Sequence, residues 1–436
     1  MKILRKIKCP HCWHRFSPDE ILWIAEHTDL LGDPRLGSEE QQRFLPTRFN
    51  VDGAALDARS FACHGLACPN CHLELPRCML EMDTFFMSIF GAPGSGKSYF
   101  LAAMTWQLRK ELAFNFSLQF TDADPALNRN LHQYEEALFT NPAANDVIPL
   151  ADLIRKTELQ GELYDSVNFG SQATTFSRPF MFSMQPQDGH ANYGKSESLL
   201  RTICLYDNAG EHFEPGRGDT ASSPVTRHMA QSQVLFFVFD PLQDGRFRDA
   251  CRQRNGISVD ADGSRLTRQE PYFQEAATRI RRHARLSATE KYDRPLVVIL
   301  TKFDVWSPLI DADLSKSPYK PRQQKNAGSS SNSPTYAVDF DVVERHSELS
   351  RELLLKTCPE IVAAAEGFAK HVVYIPASAL GLAARDTSGV FDANGDPQPA
   401  IRPADVKPFW VTVPFVYALA RWSPGLIPYR RKKSGD

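Results

Sequence analysis

The stretch TFFMSIFGAPGSGKSYF, residues 84–100, decides the fold. It begins with a mostly apolar run, which is typical of a parallel strand covered on both faces. The following GAPGSGKS fits the pattern G-x-x-x-x-G-K-[ST], in which a glycine-rich loop between a strand and a helix holds nucleotide phosphates. The sequence therefore predicts a phosphate-binding loop, with a helix from about Lys97 to Ala113 behind it.

Each part of this loop has a chemical role. Lys97 is expected to reach the β- and γ-phosphates, and the Ser98 hydroxyl is expected to ligate Mg²⁺. The glycines allow backbone amides to converge on phosphate oxygens without a Cβ in the way, and the helix adds its positive N-terminal end. The residues predicted to bind the nucleotide here are Gly91, Gly94, Ser95, Gly96, Lys97, Ser98 and Tyr99.

The loop alone does not distinguish ATP from GTP, but three later stretches bear on that choice. In LLRTICLYDNAGEH (199–212), an apolar strand ends in Asp207-x-x-Gly210. The Asp207 carboxylate would hold Mg²⁺ through a water, and the Gly210 amide would turn to the γ-phosphate. These two residues are expected beside the phosphate loop.

The other two stretches concern the base. PLVVILTKFD (295–304) is a buried strand that ends in Thr301, Lys302, Phe303 and Asp304. A carboxylate at Asp304 can accept both the N1 and N2 hydrogens of guanine, a pair of donors that adenine lacks. HVVYIPASAL (371–380) leads to Ser378, Ala379 and Leu380, where a backbone amide can meet the guanine O6.

In this order, the motifs resemble those of the Ras-like, translation-factor-related P-loop GTPases. The resemblance covers about residues 84–385, and SQVLFFVFDP (232–241) fits the family's additional strand. It implies an α/β fold, namely a P-loop GTPase sheet with helices on both faces and long insertions. It also implies binding of GTP and GDP with Mg²⁺, and hydrolysis of GTP to GDP and phosphate.

The family's switch threonine has no unique match. ATTFSRPFMFSM (173–184) occupies its place, before a strand at Pro179–Met184 that would pair antiparallel with the Asp207 strand. Thr175 is favoured, with Thr174 second, as the residue that closes on Mg²⁺ and the γ-phosphate. Whether these are instead ordinary loop threonines stays open.

The residue after the D-x-x-G motif departs from the family pattern. Glu211 stands where Ras-like members commonly have a glutamine that orients the attacking water, and its charge would face developing negative charge. His212 could substitute. The prediction is slow hydrolysis stimulated by a partner, with Lys97, Thr175, Gly210, Glu211 and His212 as the implied catalytic set. Arg178, Arg217 and Arg227 are candidate internal arginine fingers, although surface ion pairing is the commoner role of such residues.

Two cysteine pairs near the N-terminus indicate a metal site. Cys9-Pro-His-Cys12 and Cys68-Pro-Asn-Cys71 each form a knuckle, and two knuckles supply the four sulfurs of a closed, structural zinc site. The alternatives are reduced cysteines without metal, or a ligand exchanged for one of His11, His14, Cys63, His64 and Cys78. A closed zinc site does no chemistry, so contact with a protein partner is the expected role, ahead of nucleic-acid contact.

Composition and charge set the remaining expectations. The net charge of −2, the lack of an apolar run of about 18 residues and the lack of a secretory pattern predict a cytoplasmic protein without general affinity for nucleic acid. The predicted domains are a zinc-ribbon-like domain with a helical insertion (1–80), a GTPase domain with a flexible polar loop at about 315–337 (81–425), and a basic tail (426–436). The tail is expected to be solvated, with membrane or nucleic-acid contact as the alternative.

A zinc ribbon ahead of an insertion-rich GTPase core is similar to the bacterial double-GTPase group. That resemblance implies a regulatory switch with GTPase-activating partners in a defence or conflict system. Three alternatives stay open. They are a scaffold that binds GTP without turnover, a P-loop ATPase or kinase in which T-K-F-D is accidental, and a zinc-dependent nucleic-acid module gated by nucleotide.

Overall fold

Residues 3–80 contain short antiparallel strands. The computed structural model describes residues 3–154, 163–215, 226–255, 266–310, 316–322, 335–381 and 399–431. The N-terminal strands are β1 (Ile7–Lys8), β2 (Arg15–Phe16), β3 (Leu22–Ile24), β4 (Leu31–Asp33), β5 (Gly37–Gln41), β6 (Arg43–Phe44), β7 (Ala55–Leu56), β8 (Ala62–Cys63), β9 (Leu66–Ala67) and β10 (Glu74–Leu75). β1 pairs with β2, and a four-stranded sheet has the order β10-β9-β3-β6.

The prediction of a helical insertion between the cysteine pairs is wrong. The hairpins β4–β5 and β7–β8 lie in this insertion, and its described residues contain no α-helix. Asp33 accepts hydrogen bonds from the backbone N–H groups of Arg35 and Leu36. Asp57 accepts four such bonds, two from its own turn and two from the segment just after β3. These carboxylates satisfy backbone groups in turns, which favours hairpins over a helix.

The remaining strands follow in chain order. They are β11 (Asp83–Phe90), β12 (Leu118–Asp122), β13 (Ile148–Pro149), β14 (Tyr164–Phe169), β15 (Gln172–Ser177), β16 (Phe180–Pro186), β17 (Arg201–Asp207), β18 (Val234–Phe239), β19 (Leu296–Leu300), β20 (Tyr319–Arg322), β21 (Thr335–Asp339), β22 (Val372–Pro376), β23 (Ala400–Ile401) and β24 (Tyr429–Arg430). Seven of them form the large sheet at the centre of the protein.

The order in the large sheet is β12-β16-β17-β11-β18-β19-β22. The five strands from β17 to β22 are parallel, whereas β16 is antiparallel to both β12 and β17. The predicted strands before the phosphate loop, D-x-x-G, T-K-F-D and S-A-L are all confirmed, as is the antiparallel neighbour of the D-x-x-G strand. The four motifs therefore follow the carboxyl ends of parallel strands at one edge of the sheet.

The helices are α1 (Lys97–Phe116), α2 (Arg129–Phe139), α3 (Leu150–Leu153), α4 (Ser196–Leu199), α5 (Arg227–Gln231), α6 (Gly245–Asn255), α7 (Glu270–Ala284), α8 (Phe303–Trp306), α9 (Phe340–Thr357), α10 (Pro359–Phe368) and α11 (Val413–Trp422). α1 begins at the predicted residue and runs one turn further than predicted. In the part of the chain that the structure describes, no helix is both long and apolar enough to cross a bilayer.

Both faces of the large sheet are covered. α1 and α11 bury their apolar side chains against one face, together with Met87 and Ile89 of β11. On the other face, α7 and α10 cover β18 and β19. The N-terminal region covers the β11 and β17 part of that second face, where the cysteines share a buried cluster with Phe86 and Tyr206. A mixed α/β architecture follows, with burial on both faces as the apolar strands require.

Part of the predicted flexible loop is ordered. β20 lies within 315–337 and pairs antiparallel with β21, which begins inside this range and continues to Asp339. Residues 323–334 lie outside the described residues. Arg217 and the end of the basic tail, residues 432–436, also lie outside them.

Candidate functional site

The loop between β11 and α1 needs its glycines for physical reasons. Gly94 and Gly96 have φ angles of +72° and +87°, in the left-handed region that favours glycine. A Cβ added to Gly91 would lie 2.4 Å from the carbonyl oxygen of Val238. The loop is therefore packed against the end of β18, and it has the compact form that the sequence motif predicts.

Lys97 folds back over the loop. Its Nζ donates hydrogen bonds to the carbonyl oxygens of Gly91 at 3.1 Å and Ala92 at 3.3 Å. Burial lowers the pKa of the ammonium, and the nearby carboxylates of Asp207 and Glu211 act in the opposite direction. Three sequence-predicted residues from two motifs thus lie within electrostatic reach of one another.

The D-x-x-G segment lies directly against the phosphate loop. Asp207 is buried at the end of β17, and a short 3₁₀ turn follows at Gly210–Phe213. A Cβ on Gly210 would come within 2.6 Å of the Pro93 nitrogen and 2.9 Å of the Gly91 oxygen. Only glycine permits this approach of two backbones.

The T-K-F-D segment contacts the phosphate loop as well. The Thr301 hydroxyl donates to the carbonyl oxygen of Ser95 at 3.1 Å and to that of Phe239 at 3.2 Å. Lys302 has a left-handed backbone conformation, and its Nζ lies 3.0 Å from a carboxylate oxygen of Asp240. Thr301 thereby joins the predicted base-recognition loop to the predicted phosphate loop.

The S-A-L segment is attached to T-K-F-D. Ser378 Oγ donates a 2.5 Å hydrogen bond to Asp304 Oδ1 and accepts one from the Gly381 amide at 2.9 Å. The Phe303 amide donates to the Ala377 carbonyl at 3.1 Å, just before Ser378. The next residues, Ala379 and Leu380, continue along this edge, and Leu380 packs in a small apolar cluster with Tyr99.

One predicted nucleotide-binding side chain, that of Tyr99, contacts another part of the protein. The Tyr99 hydroxyl donates to the carbonyl oxygen of Leu150, so its ring faces α3. Ser98 follows Lys97 in the first turn of α1 and is half-buried. Ser98, Asp207 and Thr175 have the oxygen ligands that Mg²⁺ prefers.

The candidate switch threonine lies on a β-hairpin formed by β14 and β15. Thr175 is exposed and pairs in register with Ser166, whereas Thr174 is half-buried. At the hairpin's end, Ser177 Oγ donates to Asn208 Oδ1 at 3.1 Å, next to Asp207. The hairpin therefore reaches the D-x-x-G segment.

Arg178 is less suited to act as an arginine finger, because it forms an ion pair with Asp165 in the same hairpin. Arg227, another candidate, is exposed at the start of α5.

His212 is buried and held by a residue that sequence reasoning missed. The hydroxyl of Tyr164 lies 2.9 Å from His212 Nε2 and accepts a hydrogen bond of 3.4 Å from the Ala209 amide. Glu211 remains half-buried beside Lys97. Tyr164 stands in a polar stretch of β14 without any motif, so no local signal could have identified it.

Asp240 was also missed, although a signal was present. It follows β18 as Phe239-Asp240-Pro241, at the same sheet edge as the motif residues, and it is fully buried. Its carboxylate accepts from the Leu242 amide at 3.0 Å and faces Lys302. A polar residue at the carboxyl end of a buried parallel strand is the pattern that could have identified it.

The four predicted zinc ligands form one buried cluster. The sulfur atoms of Cys9, Cys12, Cys68 and Cys71 all lie within 4.8 Å of one another, and two of the pairs are 3.7 Å apart. Tetrahedral Zn²⁺ with bonds of about 2.3 Å separates its sulfurs by about 3.8 Å. Backbone amides of His11 and Asn70 point at two of the sulfurs, at 3.4 Å each. The donor set fits a structural zinc ion.

The alternative ligands are not in this cluster. Among the described residues, the cluster of four cysteines is the one group of this kind that could hold a metal ion. Cys63 donates to the Phe61 carbonyl instead, and Cys78 contacts Thr202. His11 Nε2 faces the Glu74 carbonyl.

Comparison with known proteins gives one relative in sequence and a weak likeness in structure. SaeC of Mycolicibacterium smegmatis, named as a candidate ESX-1 scaffolding and assembly protein, is 24% identical over 327 residues, which cover 71% of this chain and 73% of SaeC. A solved structure of Sup35 complexed with GDP aligns with 12% identity and a TM-score of 0.24. That alignment covers 70% of this chain but only 40% of the Sup35 chain. No protein-family model matches the chain.

Proposed function

We propose that this protein binds GTP and Mg²⁺ at the carboxyl ends of the parallel strands of its large sheet. In this proposal it acts as a nucleotide-controlled scaffold for protein assembly. The observation that carries the proposal is the set of contacts through Thr301 and Ser378. Thr301 bonds to Ser95 of the phosphate loop, and Ser378 bonds to Asp304. The predicted phosphate-binding and base-binding loops are therefore parts of one polar edge.

The order of the strands supports the class of protein. The resemblance to Ras-like GTPases implies an antiparallel neighbour for the D-x-x-G strand and an additional strand between D-x-x-G and T-K-F-D along the chain. The order β16-β17-β11-β18-β19-β22, with β16 antiparallel, is similar to that arrangement. In this proposal the edge strand β12 and the long insertions carry partner specificity.

The scaffold role draws on the relative. SaeC is named for scaffolding and assembly in a secretion system, and its alignment spans most of both chains. This favours a role in assembling protein complexes over the defence role that the double-GTPase resemblance implies. Proteins that contact the N-terminal region or the insertions are the expected partners.

Turnover is proposed to be slow. Glu211 stands where a water-orienting amide is expected, and His212 is held by Tyr164 rather than free to move. The alternative of binding without turnover is favoured by the same Glu211. Phosphate release by the purified protein, with and without partner proteins, distinguishes the two.

The test is displacement of a fluorescent GDP analogue from the purified protein by unlabelled GTP or ATP in the presence of Mg²⁺. The proposal expects GTP to displace the analogue and ATP to fail at the same concentrations. Equal displacement by ATP would favour the P-loop ATPase or kinase alternative. No binding of either nucleotide would reject the function.

A further inference from the structure

The N-terminal region does more than hold a metal site. We infer that the four-cysteine module, residues 3–80, positions the hairpin β14–β15 (residues 164–177) against the D-x-x-G segment. The inference rests on the proposed function only where it gives this hairpin a role in recognising the γ-phosphate. The positioning itself depends only on contacts within the chain.

One connection runs from a cysteine to the tip of the hairpin. His72, next to Cys71, has its Nδ1 atom 2.8 Å from Asp33 Oδ2. The other oxygen of Asp33 accepts from the Arg35 amide at 2.8 Å, which fixes the turn between β4 and β5. Arg35 and Asn168 are then joined by two hydrogen bonds, and each residue is the donor in one of them. Its carbonyl accepts from the Asn168 amide at 2.8 Å, and its Nη1 donates to the Asn168 carbonyl at 3.3 Å.

The guanidinium of Arg35 also lies over the ring of Phe169, with its carbon 4.5 Å from the ring centroid. Such a contact adds to the two hydrogen bonds at the hairpin tip. The tip is therefore attached to the module by three contacts that pass through one residue.

A second connection passes through the buried face of the hairpin. Val167 and Phe176 are buried in the same apolar cluster as the four cysteines. The cysteines form part of the core under the hairpin, so displacing them would expose these two side chains.

A third connection joins the first knuckle to the D-x-x-G strand. The hydroxyl of Tyr206, next to Asp207, donates a 2.5 Å hydrogen bond to the carbonyl oxygen of Pro10, between Cys9 and Cys12. Trp13 packs on Tyr206 and Phe86, with ring centroids 5.4 and 5.1 Å away. The module therefore contacts both the hairpin and the D-x-x-G strand. The hydrogen bond between Ser177 and Asn208 joins these two segments.

The hairpin contributes the groups that act on the D-x-x-G segment. Tyr164 binds His212 and the Ala209 amide, and Ser177 binds Asn208. A module that holds the tip and the buried face of the hairpin thereby supports these contacts at its open end. Under the proposed function, loosening the hairpin would weaken binding of GTP more than binding of GDP, because only GTP has the γ-phosphate that Thr175 would meet.

The experiment measures hydrogen–deuterium exchange in peptides spanning residues 164–177 of the full-length protein. Arg35→Met removes the side-chain bond and the ring contact at the tip, and Tyr206→Phe removes one hydroxyl. One control is Arg48→Met, whose guanidinium donates to the backbone carbonyl oxygen of Asp57 within the same insertion. The other is Tyr292→Phe, whose buried hydroxyl donates to the Met229 carbonyl elsewhere in the protein. A zinc chelator, followed by restored zinc, forms a separate arm.

Arg35→Met is expected to speed exchange in the hairpin about fivefold, because it loses a hydrogen bond and a cation–π contact. Tyr206→Phe and zinc removal are expected to act in the same direction, with reversal when zinc is restored, while both controls match the parent. Unchanged exchange in the hairpin of Arg35→Met and Tyr206→Phe would overturn the inference. Because these two variants keep the cysteines, they decide the question even if chelation unfolds the chain.

Nucleotide binding separates this inference from the proposed function. Faster exchange with a selective loss of affinity for a non-hydrolysable GTP analogue over GDP would support both. Faster exchange with both affinities unchanged would support the positioning and contradict the switch role of the hairpin.

Discussion

The hydroxyl of Ser378 donates a 2.5 Å hydrogen bond to a carboxylate oxygen of Asp304, which joins two loops that are 74 residues apart in sequence. The bond occupies Oδ1 and orients the carboxylate. Replacing Ser378 by alanine is expected to weaken binding of GDP about 10-fold, since the charge-assisted bond that orients Asp304 is lost. Fluorescence titration checks this, with Ser347→Ala, whose hydroxyl binds the Tyr374 amide away from this edge, as the control.

An equal loss of affinity in both serine variants would show that the effect is general destabilisation. It would then contradict an orienting role of Ser378 at the base-binding loop.

The close approach of Gly210 to the phosphate loop predicts a strong effect of a single methyl group. Gly210→Ala would place a Cβ 2.6 Å from the Pro93 nitrogen, so the loop or the D-x-x-G segment must shift. Affinity for GTP analogues is expected to fall at least about 10-fold, because the phosphate amides lose their arrangement. Gly194→Ala is the matched control, since nothing lies within 4 Å of the added Cβ.

The cysteine cluster predicts one zinc ion per chain, measurable by elemental analysis of the purified protein. Cys68→Ser is expected to lose the zinc and to lower the melting temperature, because metal binding supplies folding free energy to the short strands around it. Cys251→Ser changes a buried cysteine in α6, outside the cluster, and should keep the metal. Metal-free parent protein with unchanged stability would contradict a structural zinc site.

The buried His228 predicts a pH dependence of stability. Its ring lies between Ser88 and Asn208, and burial lowers its pKa from 6.5 to about 3, with His212 and His283 acting in the same direction. Below pH 6.5 the unfolded chain binds a proton that the folded chain excludes. This group therefore lowers the free energy of unfolding as the pH falls, by at most about 1.4 kcal/mol per pH unit until the folded pKa is reached.

Chemical denaturation of the parent and of His228→Gln at pH 7 and pH 5 checks this contribution. The variant should lose less stability than the parent between the two pH values, since other titrating groups act alike in both proteins. Equal losses of stability in the two proteins would contradict the lowered pKa of His228.

Much of the sheet and its motif edge could be predicted because the parallel strands are mostly apolar runs. β11, β17, β19 and β22 each end at the start of a motif or within one residue of it, and the structure places them as neighbours in one sheet or one strand apart. Asp240 could have been predicted too, because it also follows a buried parallel strand. However, Asp-Pro after a strand is equally typical of an ordinary turn.

The hairpin and the N-terminal strands could not be predicted in the same way. Residues 164–177 are mostly polar, and what fixes them is Arg35, more than 120 residues away in the chain. The strands between the cysteine pairs are two to five residues long, too short for a periodic pattern. Their turns depend on carboxylates such as Asp33, whose role appears only when the partners are in place.

The proposed function depends on recognition of the guanine base by Asp304. The nucleotide preference of the Asp304→Asn variant tests this most directly. An asparagine presents an N–H where the carboxylate accepts, so the variant should lose about 10- to 100-fold in affinity for GTP and gain affinity for xanthosine triphosphate. For the parent, both nucleotides compete against a fluorescent GDP analogue; for the variant, they compete against the corresponding xanthosine analogue. The two sets of affinities measure the change of preference. Full affinity for GTP in the variant, with no gain for xanthosine triphosphate, would contradict the account.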